Sequence, residues 1–375
     1  MFFVVQEEMG YLFLPPSIPM RPQDAFEHVV VGSGPAGCSV ALELLRSGAA
    51  PGSVLLLERR GSIAYGRYHE MCAGGISRVG TESLGLDVRG MVRNVINGAE
   101  EHWPGDIILK GEANGYIIDR NLLLDQLKAE IAHRGGAIRT DHVIGARESE
   151  HGIVLSCASG MDIQAVLAYG ADGSRSVLRR DLFGWQPQLQ ILAEQHLVPR
   201  RGAEDKLVFY FTSRTAPKYQ WVFPCGDGSH VGFPAGSMPP PPDSLLRIVR
   251  PIPVGPLQHI SRDHACLVGD AACQSNPLTF GGIRNGMEAG RMAARAALEG
   301  HLQKYGQRWA ASPLADPCFL AAFEILSRLA DEEREVEMAP LRGDGGIMPI
   351  MRSLMMDEKF RVLYRAHVRK LHNGW

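Results

Sequence analysis

Residues 28–48 read HVVVGSGPAGCSVALELLRSG, and the change of period inside that stretch decides the fold. Val29, Val30 and Val31 form an apolar run with no polar alternate, the pattern of a strand covered on both faces. Gly32, Gly34 and Gly37 then supply GxGxxG. After them Val40, Ala41, Leu44 and Leu45 recur at helical spacing until Gly48 ends the helix. Gly32 permits the tight turn, Gly34 lets the backbone approach a pyrophosphate, and Gly37 lets helix and strand pack closely. The helix N-terminus faces the phosphates with its free N–H groups and positive dipole end. Outward along the chain, SVLLLE (Ser53–Glu58) reads as a second strand. It ends about 20 residues past the last glycine on an acid placed to bind ribose hydroxyls. Strand, turn, helix, strand and acid predict a dinucleotide site on a parallel sheet and leave open whether the dinucleotide is NAD or FAD.

Composition sets the frame. The 375 residues are 45% hydrophobic and 21% charged, an ordinary soluble composition with material for two domains or one large one. A formal charge of −2 offers no broad basic surface, so nucleic acid is not an expected partner. The seven cysteines are scattered without a CxxC pair, which argues against a zinc site or a disulfide framework and fits a reducing cytoplasmic setting. His151, His230 and His264 show no ligand spacing, and no metal is expected. The N-terminal MFFVVQEEMGYLFLPPSIPMRPQ has apolar runs broken by Gln6, Glu7 and Glu8 and no basic lead, and no apolar run in the chain is long enough to span a membrane. Residues 1–24 are read as an extension that packs on the body or lies on an interface.

Two later stretches narrow the cofactor. YGADGSRSVLRR begins at Tyr169 and LVGDAACQSNPLTFGGIRNGMEAGRMAA at Leu267. Both resemble the DG and GDA signatures of glutathione-reductase-type flavoproteins of the p-hydroxybenzoate hydroxylase group, and by that resemblance the dinucleotide is FAD and Asp270 binds its ribityl chain. Gly281 and Gly282 open a helix whose small residues, Gly286, Ala289, Gly290, Ala293 and Ala294, permit close packing. Its first N–H groups are expected to face the flavin edge where negative charge accumulates on reduction.

A further stretch, PKYQWVFPCGDGSHVG (217–232), alternates Tyr219, Trp221 and Phe223, so all three would share one face of a strand, with Gln220 and Val222 opposite. YxWxFP followed by VG, between a DG and a GDA element, is similar to the signature of the geranylgeranyl reductase family, flavoenzymes that saturate double bonds of isoprenoid chains. MCAGGIS (Met71–Ser77) resembles that family's Cys-containing, Gly-rich segment. In YIIDRNLLLDQL, Arg120 occupies the arginine of its aspartate-arginine pair. The matches run from about residue 28 to 285. Carried over, the FAD contacts fall on Ala36, Glu58, Cys72, Ala73, Gly75, Arg120, Asp270, Gly282 and Ile283, beside the glycines of the first motif and Arg59. Tyr219 and Trp221 become the expected contacts of a prenyl chain, and Cys72 and Tyr219 the candidate proton donors for hydride delivery from flavin N5. Two departures stand out: Cys273 and Phe280 replace glycines of the family pattern, and bulk there is expected to alter the shape of the substrate cavity or cover the flavin ring.

The resemblance implies a mixed α/β fold. The parts are a glutathione-reductase-type, Rossmann-like FAD-binding domain, an inserted antiparallel-sheet substrate domain and a helical C-terminal region. FAD-binding segments are expected at 25–86, 119–185 and 259–300, substrate-sheet segments at 87–118 and 186–258, and the helical region at 301–375. MPPPPDS from Met238 reads as a stiff surface connection. The ending FRVLYRAHVRKLHNGW puts Phe360, Leu363, Tyr364, Val368 and Leu371 on one helical face. That helix either docks on the protein or rests peripherally on anionic lipid. No second GxGxxG marks a nicotinamide site, so the electron donor is NADPH visiting transiently or a ferredoxin-like protein. A monooxygenase acting through a flavin hydroperoxide shares every cofactor motif and is the alternative. The flavin halogenase signature WxWxIP is absent, and no cysteine cluster would hold the iron–sulfur centre of a quinone-linked electron carrier.

Overall fold

The valine run forms β1 (Gln23–Val31), fully burying Val29 and Val30. The computed structural model describes residues 23–216, 219–255, 258–342 and 346–374. The N-terminal extension, 1–22, lies outside these residues; positions 23 and 24, assigned to it above, already pair in β1. β1 is flanked in parallel by β2 (Val54–Glu58) and β9 (Asp162–Gly170). β6 (Ala137–Thr140) extends the sheet beyond β2. On the other side, β8 (Gly152–Cys157) and β7 (Val143–Ser149) continue as an antiparallel meander, and β15 (Ala265–Leu267) joins the C-terminal part of β9 in parallel.

The second sheet has eight strands. Its order is β14 (Leu246–Val254), β10 (Leu189–Pro199), β13 (Gly228–Pro234), β12 (Gln220–Cys225), β11 (Lys206–Tyr210), β4 (Val92–Trp103), β5 (Ile107–Ile118) and β3 (Gly75–Ser77). All neighbours are antiparallel except β11 and β4. β3 comes from the segment otherwise given to dinucleotide binding, and so ties the MCAGGIS stretch to the second sheet.

Helices cover the first sheet. α1 (Pro35–Arg46) crosses α5 (Ile283–Leu298) closely enough that a Cβ on Gly290 would come within 2.6 Å of the Ala36 carbonyl oxygen, which is why the small residues of that helix are needed. α4 (Arg120–His133) packs beside α1 and starts on Asp119, whose carboxylate accepts from the Asn121 and Leu122 N–H groups. Short α2 (Ser62–Glu70) and α3 (Arg78–Leu84) flank β3. The C-terminal region is helical as expected: α6 (Tyr305–Ala310), α7 (Cys318–Arg328), α8 (Asp331–Met338), α9 (Ile347–Met356) and α10 (Glu358–Asn373).

Candidate functional site

Parallel strands leave a crevice beyond their carboxyl ends. Here β1 ends at Val31, β2 at Glu58, β9 at Gly170 and β15 at Leu267, so the loops that follow converge on one space. That space is a cavity of about 1460 Å³, bounded by those loops, by the inner face of the second sheet and by α7 and α10. It exceeds the roughly 300–1000 Å³ usual for a single small-molecule site.

The strand-end side is polar. Neither α1 nor α5 has a side chain capping its N-terminus, and both ends, Gly34–Ala36 and Gly281–Asn285, line the cavity. A Cβ on Gly34 would meet only an Arg120 nitrogen, at 4.0 Å, so backbone here is open to a close ligand. A Cβ on Gly37 would strike the Gly32 carbonyl at 1.9 Å; Gly37 serves helix–strand packing and does not line the cavity. Glu58 is held by the Ser33 N–H (3.1 Å), the Ser33 hydroxyl (3.0 Å) and the Arg60 N–H (3.0 Å). Asp270 accepts from the Ser275 hydroxyl at 2.8 Å. Arg59, Ala73, Gly75, Gly282 and Ile283 also face the cavity, and Arg120 leaves its Nε buried without a hydrogen-bond partner. Open glycines, two uncapped helix ends, a carboxylate at the end of β2 and a buried guanidinium Nε without a partner fit a dinucleotide.

The opposite side is apolar and aromatic. Tyr219, Trp221 and Phe223 share the cavity-facing side as their alternation predicts; Pro217 and Lys218 lie outside the described residues. Phe209 and Phe211 on and beyond β11 add to the wall: Phe209 meets Tyr219 and Phe223 edge-on, with ring centres 5.3 and 5.4 Å apart. Trp103 stacks flat on Phe211. The Trp221 indole donates to Gln195 Oε1 at 3.2 Å, and Gln195 Nε2 donates to the Met71 carbonyl at 2.9 Å, so the wall is braced against the residue before Cys72. A Cβ on Gly232 would overlap the Trp221 ring, which explains the glycine of the VG pair. The Tyr219 hydroxyl donates to the Thr279 carbonyl at 2.7 Å, and burial pushes its acidity far down. Burial would also raise the Cys72 thiol, but the Arg120 and Arg250 guanidinium groups and the Gly74 N–H outweigh it and lower the pKa below its ordinary value.

No protein-family model matches the chain. A digeranylgeranylglycerophospholipid reductase of Methanothermobacter thermautotrophicus is 30% identical over 365 residues, 85% of this chain and 92% of that one. The chain belongs to the geranylgeranyl reductase family. A solved geranylgeranyl bacteriochlorophyll reductase-like protein of Thermoplasma acidophilum shares the fold with a TM-score of 0.73 at 21% identity, covering 92% of this chain and all of that one. Klebsiella pneumoniae HpxO, solved with FAD and uric acid, shares it at 0.66 and 16% identity, over 92% of this chain and 97% of that one.

Some cavity residues of this geranylgeranyl reductase family member have no counterpart among the motifs. Glu101, His367 and Lys370 form a polar island in the apolar part, with Lys370 Nζ 2.5 Å from Glu101 Oε1 and the Trp103 indole donating to Oε2 at 3.3 Å. α10 supplies Phe360, Leu363 and Tyr364 to the cavity, so of the two readings of the ending, docked or on lipid, it is the docked one that holds, as part of the cavity wall. Only the alternation of Glu101 and Trp103 within EEHW hints at this in sequence. At Cys273 and Phe280 the backbone is left-handed, with φ of 55° and 58°, a conformation that glycine adopts without strain. Phe280 stacks on Tyr219 at 6.0 Å and narrows the cavity there.

Proposed function

We propose that the protein is an FAD-dependent reductase that saturates carbon–carbon double bonds of an isoprenoid chain carried by a lipid. The observation that carries this reading is a single cavity with a dinucleotide cradle on one side and an aromatic wall on the other. The named activity of the Methanothermobacter relative supports it. We assign the cradle to Gly32, Gly34, Ala36, Glu58, Arg59, Cys72, Ala73, Gly75, Arg120, Asp270, Gly282 and Ile283. Tyr219 and Trp221 are assigned to the prenyl chain.

Bound FAD supplies the hydride that one alkene carbon receives. An isolated alkene is not electrophilic, so the chain's own residues must fix the double bond and provide a proton at the other carbon. The aromatic wall excludes water and gives an apolar chain a rigid surface. Of the two candidate donors, Tyr219 has its proton committed to Thr279 and held more tightly by burial, whereas Cys72 has its proton loosened by two guanidinium groups. Cys72 is the donor in this scheme, and Tyr219 a wall residue. An external reductant must restore the cofactor after each turnover.

A lipid substrate raises the question of how it arrives. No helix among the described residues is long and apolar enough to cross a membrane. α10 docks on α7 through buried Leu363 and Ala366, so it is not the lipid-facing element. α9 fits that role better. None of its residues is buried, and Ile347, Met348, Met355 and Met356 are each at least two-thirds exposed. It packs against residues 339–341, of which Leu341 lines the cavity. α9 itself carries Arg352 and no carboxylate, which favours an anionic leaflet over a neutral one.

The test of function is direct. Holoprotein reduced anaerobically and mixed with a polyprenylated phospholipid should regain oxidised-flavin absorbance while the lipid gains two hydrogens per bond by mass spectrometry. Reoxidation only by oxygen, with an oxygen atom added to an organic substrate, would replace this reading by the monooxygenase.

A further inference from the structure

We propose that Arg250, which no motif assigns, is an anion-binding residue of the cavity and holds a phosphate of one of its ligands. Arg250 sits on β14, an edge of the second sheet, opposite Ala193 of β10, and lines the cavity from the side facing the cradle. Its guanidinium carbon lies 3.9 Å from the centre of the Tyr68 ring, and that of Arg60 lies 3.8 Å from the same ring. Arg120, Cys72 and the Asp270 carboxylate are within its electrostatic reach, but Asp270 makes no ion pair with it and is held by the Ser275 hydroxyl. Its Nε and Nη2 are buried and make no hydrogen bond, as is true of Arg120 Nε.

Three guanidinium groups thus gather around Tyr68 and Cys72, and the only carboxylate ion-paired to any of them among the described residues is Glu58, 3.7 Å from Arg60. Burying an arginine that repels its neighbours and leaves two nitrogens unsatisfied is costly unless an anion completes the arrangement. The Tyr68 face offsets part of that cost and fixes the guanidinium plane, but it provides no acceptor for the N–H groups. A guanidinium presents a rigid fork matched to two phosphate oxygens, which makes a phosphate or diphosphate the complementary ligand. The same chemistry has two sources here: the FAD pyrophosphate, or a phosphate head group on the substrate. The first source rests on the function proposed above.

The experiment uses full-length protein and its Arg250→Gln and Arg250→Lys variants. FAD affinity of the apoprotein is read by flavin fluorescence, and binding of geranylgeranyl phosphate and of geranylgeraniol to holoprotein by calorimetry. Losing a charge-assisted contact weakens binding by about 10- to 100-fold. That loss should fall either on FAD or on the phosphorylated lipid alone, with the alcohol unchanged and the lysine variant partly restored. A loss on FAD assigns Arg250 to the pyrophosphate; a loss on the prenyl phosphate assigns it to the head group. In addition, Arg250→Gln should raise the melting temperature of ligand-free protein, because it removes an unpaired buried cation, and shrink the rise produced by ligand. Affinities for FAD and prenyl phosphate both within twofold of wild type would overturn the proposal. A wild-type protein that takes up no FAD would instead overturn the function above, and the prenyl phosphate comparison, then made on protein without FAD, still decides Arg250.

Discussion

Cys72 differs from most of the other cysteines in its electrostatic surroundings. Burial pushes Cys38 and Cys318 up to about 12 and Cys157 and Cys273 up to about 11, and each stays a thiol at neutral pH. Cys72 faces Arg120 and Arg250, and its thiolate therefore persists to lower pH. In ligand-free protein, iodoacetamide should modify Cys72 first, with a rate that rises through an inflection below that of an ordinary thiol. Arg250→Gln should move the inflection upward; peptide mass spectrometry against pH checks both. Within the family reading, Cys72→Ala should lower the reduction rate, measured at saturating FAD, by about 10²- to 10⁴-fold, as loss of a general acid does. The placement of Gly32, Gly34 and Glu58 around one cavity was legible from their spacing, because a tight turn and a strand end each fix one residue type at one place. Arg250 was not, since a lone arginine in LRIVRPIP looks like any exposed strand residue until Tyr68, Arg60 and Arg120 are folded around it.

At the scale of elements, α1 and α5 follow from local rules: apolar residues at helical spacing, a glycine before each helix and small residues at the crossing. α9 and α10 show where those rules stop. Both are amphipathic, and periodicity cannot say which apolar face is covered by protein. Packing decides it: α10 finds α7, with Arg365 and Arg369 drawn toward Asp316, while α9 keeps its methionines in solvent. Replacing Met348 and Met355 by aspartate should therefore lower sedimentation with anionic vesicles by about tenfold or more. The same change on neutral vesicles should matter less. Equal binding of variant and wild type to anionic vesicles would remove α9 from the lipid surface. Arg361, which donates to the Leu354 and Met355 carbonyls, caps the end of α9 and is a secondary site for the same assay.

The whole molecule closes its cavity with residues far apart in sequence. Glu101 on β4 and Lys370 on α10 are the clearest case, a nearly buried pair joining the second sheet to the C-terminal helix. Lys370→Met would leave Glu101 buried and unpaired, a loss of about 3–5 kcal/mol of stability measurable by denaturant titration. Burial acts to raise the Glu101 pKa, but Lys370 and His367 outweigh it and hold the carboxyl below its ordinary range. Its stabilisation is therefore full above the pKa of the unfolded chain and is lost as pH falls through the depressed folded value. Wild type should lose stability more steeply on the acid side than the Glu101→Gln, Lys370→Met double variant. Identical acid limbs would show that the pair does not couple sheet and helix.

The sequence by itself determined the parallel-sheet core, the glycine turn, the carboxylate that ends β2, the aromatic strand and the helical ending. Each is written in residues close together, where period, steric freedom and hydrogen-bonding capacity act over a few positions. Only the tertiary structure decided that one cavity joins cradle and wall, that α10 lines it and that Arg250 and Lys370 project into it. Such facts depend on which surfaces meet, and burial and charge pairing between distant segments have no local signature in the chain.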